Sequence, residues 1–188
     1  MDKALFLDRD GVINTEKYYV SRIEDFEFIS GIFDLCSRAR ELGFRLFVIT
    51  NQAGIARGYY TIADYETLTA WMLDEFSSRD IHIERVYYCP FHATAGIGKY
   101  RQDSFDRKPN PGMILRAKAA FNLDLSGSVL IGDKDSDIEA GRAAGVGYNV
   151  LLTPDMADTD SPGVLCFSSL AGITAWLIRT FSHDDRDA

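Results

Sequence analysis

A chain of 188 residues with 46% hydrophobic and 26% charged residues has the size and make-up of one globular domain with a substantial core, which excludes a disordered chain and a pair of large domains. The formal net charge of −8 disfavours nucleic acid and anionic membranes as partners, so an anionic ligand would require a local cationic pocket. The three cysteines, Cys36, Cys89 and Cys166, are widely spaced, which suits free thiols in the cytoplasm rather than a disulfide framework, and no apolar run reaches signal-peptide or membrane-spanning length.

Ala4 to Leu7 is a continuous apolar run ended by Asp8, as expected of a central strand buried on both faces. Gly31 to Leu42 carries apolar residues at helical spacing, and Gly43 stands where a helix C-cap belongs. Arg45 to Thr50 reads as the next strand, Thr61 to Arg79 as a long amphipathic helix, and Ile83 to Tyr88 as a further strand. Residues 89–107 are irregular, after which Pro111 opens a helix running to about Phe121. Ser128 to Ile131 is a strand, Ser136 to Ala144 a helix closed by Gly145, and Tyr148 to Leu152 a short strand. Residues 153–165 read as a surface loop and Ser169 to Phe181 as the last helix. Residues 1–182 are expected to form a single domain, with 183–188 a frayed polar tail. Strands alternating with helices predict an α/β fold with a largely parallel sheet, whose ligands bind beyond the carboxyl ends of the strands.

Polar clusters stand where that rule expects them: Asp8-Arg9-Asp10-Gly11, Thr50-Asn51-Gln52, and Gly132-Asp133-Lys134-Asp135-Ser136-Asp137, each after an apolar run. A fourth, Arg107-Lys108-Pro109, precedes a helix. Alternation along an extended segment puts Asp8 and Asp10 on one side, so both carboxylates can face one phosphate. One can attack phosphorus while the other protonates the leaving oxygen and later takes a proton from water. A calcium loop would want further oxygen ligands and a glycine where Val12, Ile13 and Ile138 stand. Asp8, a backbone carbonyl near Asp10, and Asp133 would instead suit a magnesium ion, which offsets repulsion between an anionic nucleophile and an anionic phosphate. Asp137 reads as a residue behind that site or as a helix cap. Thr50 and Asn51 offer donors to phosphate oxygens, and Lys108 a neutralising charge. Each pattern alone has a bland reading, as turn chemistry or a solvated lysine; the ordered set of four is what carries chemistry.

That set resembles the haloacid dehalogenase superfamily of phosphatases. Longer stretches, Asn51-Gln52-Ala53-Gly54-Ile55-Ala56-Arg57-Gly58 and Arg107-Lys108-Pro109-Asn110-Pro111-Gly112-Met113 among them, are similar to the heptose 1,7-bisphosphate 7-phosphatases and, less closely, to histidinol-phosphatases. The resemblance implies a Rossmann-like haloacid dehalogenase fold with little or no cap domain. It implies a magnesium-dependent phosphoric monoester hydrolase working through an aspartyl phosphate on a small phosphorylated sugar in nucleotide-activated heptose biosynthesis; apart from the resemblance, a monomer is expected. Asp8 would be the nucleophile and Asp10 the general acid/base. Asp8, Asp10 (by its backbone oxygen) and Asp133 would hold the metal. Thr50, Asn51, Arg107, Lys108 and Lys134 would surround substrate, with Glu16, Lys17, Tyr18, Tyr19, Gln52 and Ala53 shaping the sugar site.

The chain departs from that family at its zinc loop, usually C-x-H followed by C-x-C. Cys89 is present, but Phe91 takes the histidine position with His92 one residue further on, and Ser104 and Asp106 stand for the later cysteines. The 89–107 loop is therefore expected to fold without structural zinc. A different class, a phospho-accepting receiver-like signalling module, also uses Asp, magnesium, Thr and Lys. It places its acceptor on a middle strand and has no need of a hydrolytic acid such as Asp10.

Overall fold

Alternation within the first strand, β1 (Asp2–Leu7), sets the two layers of the molecule. In the computed structural model, which describes residues 1–154, 159–161 and 164–182, Leu5 and Leu7 enter one apolar cluster while Ala4 and Phe6 enter another, because successive strand side chains point to opposite faces. The first cluster joins the sheet to α1 (Ile32–Glu41), α3 (Ile62–Ser77) and α6 (Leu170–Phe181). The second joins it to α4 (Gly112–Phe121) and α5 (Asp135–Ala144). Each large side chain so enclosed contributes about 1.5–3 kcal/mol by leaving water.

The other strands are β2 (Phe44–Asn51), β3 (Ile83–Cys89), β4 (Leu123–Gly132), β5 (Tyr148–Leu152), β6 (Thr159–Ser161) and β7 (Val164–Phe167). Their order is β3-β2-β1-β4-β5-β7-β6. All neighbours pair parallel except β6, which lies antiparallel on β7. The chain moves outward in one direction from β1 through β2 to β3, then returns to place β4 on the other side of β1. The carboxyl ends of β1 and β4 therefore flank a topological switch point, where such sheets leave a crevice.

The α/β expectation and the positions of the central strands hold, with local differences. β4 begins at Leu123 rather than Ser128. Asp124, Ser126 and Gly127 break the apolar run, yet Leu123 pairs with Asp2 and Asp124 with Lys3 before the register shifts. Helix α2 (Ala53–Arg57) occupies a stretch read only as a motif; five residues are too few to display a helical period. The 153–165 segment, read as a loop, contains β6 and the start of β7; the rest of it beyond residue 154, and the 183–188 tail, lie outside the described residues. Thr61 caps α3 in a reciprocal box with Asp64.

Candidate active site

At the switch point a cavity of about 580 Å³ opens above β1, β2 and β4. Asp8 follows the last residue of β1, and its N–H donates to the Ile131 carbonyl at 3.0 Å, which holds it against the end of β4. Gly11 turns the chain away at φ +90°, and a side chain there would strike the Asp133 carboxylate. Gly132 has the same relation to Asp137. Two positions without Cβ thus let acidic groups from β4 and α5 close in on Asp8.

Those acids surround one lysine. Lys108, 3% exposed, places Nζ 3.0 Å from Asp8 Oδ1, 2.6 Å from Asp137 Oδ1 and 2.9 Å from the Ile49 carbonyl. One of its N–H groups donates to the Ile49 carbonyl and its charge is paired with both acids, so it acts on an incoming anion through its charge. Burial raises the Asp8 carboxyl to about 7; Lys108 opposes the shift, and Asp137, Asp133 and Asp10 add to it. For Lys108 burial works toward the neutral form, but Asp8 and Asp137 outweigh it and hold the ammonium above its ordinary value. Burial likewise raises Asp133, against the pull of Lys134.

Carboxylate oxygens of Asp8, Asp133 and Asp137 lie within 4.8 Å of one another. Asp133 Oδ1 is buried with no hydrogen-bond partner, an unfavourable state that a divalent cation would relieve. Asp137 is less available, because Oδ1 pairs with Lys108 and Oδ2 accepts the Lys134 N–H at 3.1 Å, capping α5. The donor set therefore fits a hard cation held chiefly by Asp8 and Asp133. The Asp10 carboxylate stands outside this cluster.

Asp10 is held by three side chains, two from the segment after β1 and one from the end of β2. Arg9 donates to both of its oxygens through Nη2 at 2.9 Å, Asn14 to Oδ1 at 3.1 Å, and Gln52 to Oδ2 at 3.1 Å. Of the substrate residues expected from sequence, Glu16, Tyr18, Tyr19, Thr50, Asn51, Ala53, Arg107, Lys108 and Lys134 all line the cavity. Two do not. Gln52 is buried behind the wall, donating to Thr50 Oγ1 at 2.8 Å and accepting from the Tyr60 hydroxyl at 2.5 Å. Lys17 pairs on the surface with Glu27 at 3.0 Å.

Asn51 lines the cavity but spends its amide differently from the expectation of a phosphate donor. Nδ2 donates to the Lys108 carbonyl and Oδ1 accepts the Lys108 N–H, so it fastens the Arg107–Pro109 segment to the end of β2. Thr50 keeps its O–H for another acceptor, since Oγ1 accepts from Gln52. Lys134 reaches Glu16 at 3.2 Å, joining the loops after β4 and β1 across the mouth. Tyr60, Pro109 and Ser136 also line the cavity without a role assigned from sequence; Pro109 and Ser136 lay inside recognised clusters, while Tyr60 follows the unpredicted α2.

In the 89–107 loop the residues nearest a zinc pattern have protein partners. Cys89 Sγ faces the Phe91 carbonyl, His92 Nδ1 accepts the Thr94 and Ala95 N–H groups, and Asp106 pairs with Arg116 at 2.5 Å.

Comparisons with known proteins agree with this geometry. The HAD-hydrolase-like family model matches residues 105–158. A Burkholderia mallei protein named D-glycero-alpha-D-manno-heptose-1,7-bisphosphate 7-phosphatase is 53% identical over 151 residues, 80% of each chain. A Vibrio cholerae protein named for the beta anomer of the same substrate is 40% identical over 179 residues, 94% of this chain and 96% of that one. The fold also matches a crystal structure of D,D-heptose 1,7-bisphosphate phosphatase from B. bronchiseptica complexed with magnesium and phosphate, with TM-score 0.81 and 24% identity over 95% of this chain and 99% of that one. On the extent of these matches, the chain belongs to the heptose-1,7-bisphosphate 7-phosphatase family of HAD-like hydrolases.

Proposed function

We propose that this chain is a magnesium-dependent phosphatase that removes the 7-phosphate of D-glycero-D-manno-heptose 1,7-bisphosphate, serving the making of nucleotide-activated heptose for surface glycans. The observation that carries the reading is the buried trio of Asp8, Lys108 and Asp137 beside the unpartnered Asp133 oxygen at the switch point. Asp8 attacks phosphorus, and the bond from phosphorus to the sugar oxygen breaks as Asp10 gives that oxygen a proton. Water then attacks the aspartyl phosphate and leaves a proton on Asp10, which frees phosphate and regenerates Asp8. Thr50, with its free O–H, and Lys108, by its charge, face the transferring group. Asp8, Asp133 and the Asp10 backbone oxygen would hold magnesium, which would supply charge neutralisation for two anions brought together. Arg107 and Lys134 flank the opening and suit the second phosphate of the sugar, with Glu16, Tyr18, Tyr19 and Ala53 shaping the space between.

The acidic surface charge and the three free cysteines support a cytoplasmic enzyme with neither nucleic acid nor membrane as partner, and we assign it a monomeric state. Among the described residues no helix is long and apolar enough to cross a membrane.

The test is phosphate release from both anomers of the 1,7-bisphosphate, from histidinol phosphate and from simple sugar phosphates, with magnesium and with excess EDTA. Loss of the 7-phosphate alone, only with magnesium, and a fall of at least ~10⁴ in turnover for Asp8→Asn with the fold retained are expected. Preference for histidinol phosphate would overturn the substrate, and full activity of Asp8→Asn would overturn the mechanism.

A further inference from the structure

Arg9 stands between the two catalytic aspartates in sequence, yet it does not line the cavity. It is 1% exposed. Removing a guanidinium from water is strongly unfavourable unless its hydrogen bonds are replaced. Here the replacement is directed almost wholly at one carboxylate. Nη2 lies 2.9 Å from both Asp10 oxygens, Nε 3.3 and 3.2 Å from them, and Nη2 also donates to the Val20 carbonyl at 2.8 Å. The guanidinium carbon sits 5.7 Å from the Tyr65 ring centroid, while Nη1 is buried without a partner. From the opposite side Gln52, itself oriented by the Tyr60 hydroxyl, holds Asp10 Oδ2.

We propose that Arg9 is a positioning residue whose buried fork, anchored on the Val20 carbonyl, fixes the Asp10 carboxylate where it exchanges protons with the leaving oxygen and then with water. Because Val20 ends the loop that carries Glu16 to Tyr19, the same anchor ties the acid/base group to the segment lining the sugar space. Lysine cannot reproduce the contact, since an ammonium lacks the planar two-point geometry. The inference rests on the acid/base role of Asp10 and gives that role its geometric support.

The experiment is a double-mutant cycle, measuring kcat and KM with magnesium on the sugar phosphate the enzyme turns over best, for wild type, Arg9→Lys, Asp10→Asn and the double variant. Arg9→Lys is expected to lower kcat by roughly 10–100-fold, the scale of a small misplacement of a catalytic group, with KM changed less than about 3-fold. In the Asp10→Asn background the same substitution should cost less than about 2-fold, because residues acting through one group are non-additive. Equal losses in both backgrounds, or no loss in wild type, overturn the proposal. If thermal melting shows Arg9→Lys unfolded at the assay temperature, Gln52→Leu, which removes the opposing contact, goes through the same cycle with the same criteria. A full-speed Asp10→Asn variant would instead overturn the acid/base reading beneath it.

Discussion

At the floor of the cavity Lys108 is 3% exposed and bridges Asp8 and Asp137, whereas at the rim Lys134 keeps a side-chain exposure of 54% and meets Glu16 across 3.2 Å. Both are lysines between two carboxylates, since Lys134 also lies 3.5 Å from Asp133. Their surroundings separate them. At the floor each charge has lost its water, so the trio is held only while all three members are present. At the rim solvent screens the pair and makes it exchangeable at little cost. Chemistry belongs where charges cannot rearrange, and substrate choice where they can.

The strongest way to break that contrast is Lys108→Met. It leaves Asp8 and Asp137 buried without their cation, and the expected cost is about 3–5 kcal/mol of stability at pH 8, read from denaturant unfolding. The cost should shrink toward pH 5.5. Burial already holds folded Asp8 at about 7, above the ~3.9 of an unfolded aspartate, so falling pH protonates the folded state first and favours it; the penalty is fully present only above about 7. Losing Lys108 removes the largest influence that lowers Asp8, which widens this window upward. A loss below about 1 kcal/mol at pH 8, the level of a surface pair, would mean the floor is no different from the rim.

A smaller effect sharpens the same point through the metal. Magnesium requires Asp8 as carboxylate, while the metal-free protein holds it protonated up to about 7. Affinity should therefore climb by up to about tenfold per pH unit below 7 and flatten above it, with close to one proton released per ion at pH 6. Titration calorimetry in two buffers of different ionisation enthalpy counts that proton. An affinity flat between pH 5.5 and 8 would mean that binding displaces no proton from Asp8 in this range.

The floor was legible in sequence where apolar strands stop abruptly on an acid. Asp8 after Leu7 and Asp133 after Gly132 needed only the rule that parallel sheets bind beyond their carboxyl ends. Partnerships across the chain were not legible. Asn51 looked like a free donor because nothing local reveals that the Lys108 backbone, 57 residues away, takes its amide. Arg9, flanked by two acids, reads locally as a solvated charge, and only tertiary folding buries it under Tyr65. Gln52 and Lys17 were drawn into the sugar site by resemblance of whole stretches; the fold turns one inward to Asp10 and Thr50 and the other outward to Glu27.

The gentlest probe is at the rim. Lys134 is held charged because Asp133, Asp8 and Glu16 outweigh its partial burial, yet its pairs are open to water. Lys134→Ala should leave the melting temperature within about 2 °C, as expected for a lost exposed pair. If Lys134 meets the sugar's second phosphate before and during reaction alike, its removal weakens ground state and transition state together. KM should then rise by roughly 3–10-fold with kcat within about 2-fold, the signature of uniform binding, and the rise should narrow at high salt, where the wild-type contact is already screened. A fall in kcat at unchanged KM would place Lys134 with the floor, acting on the transferring phosphate itself, and would erase the division between the two lysines.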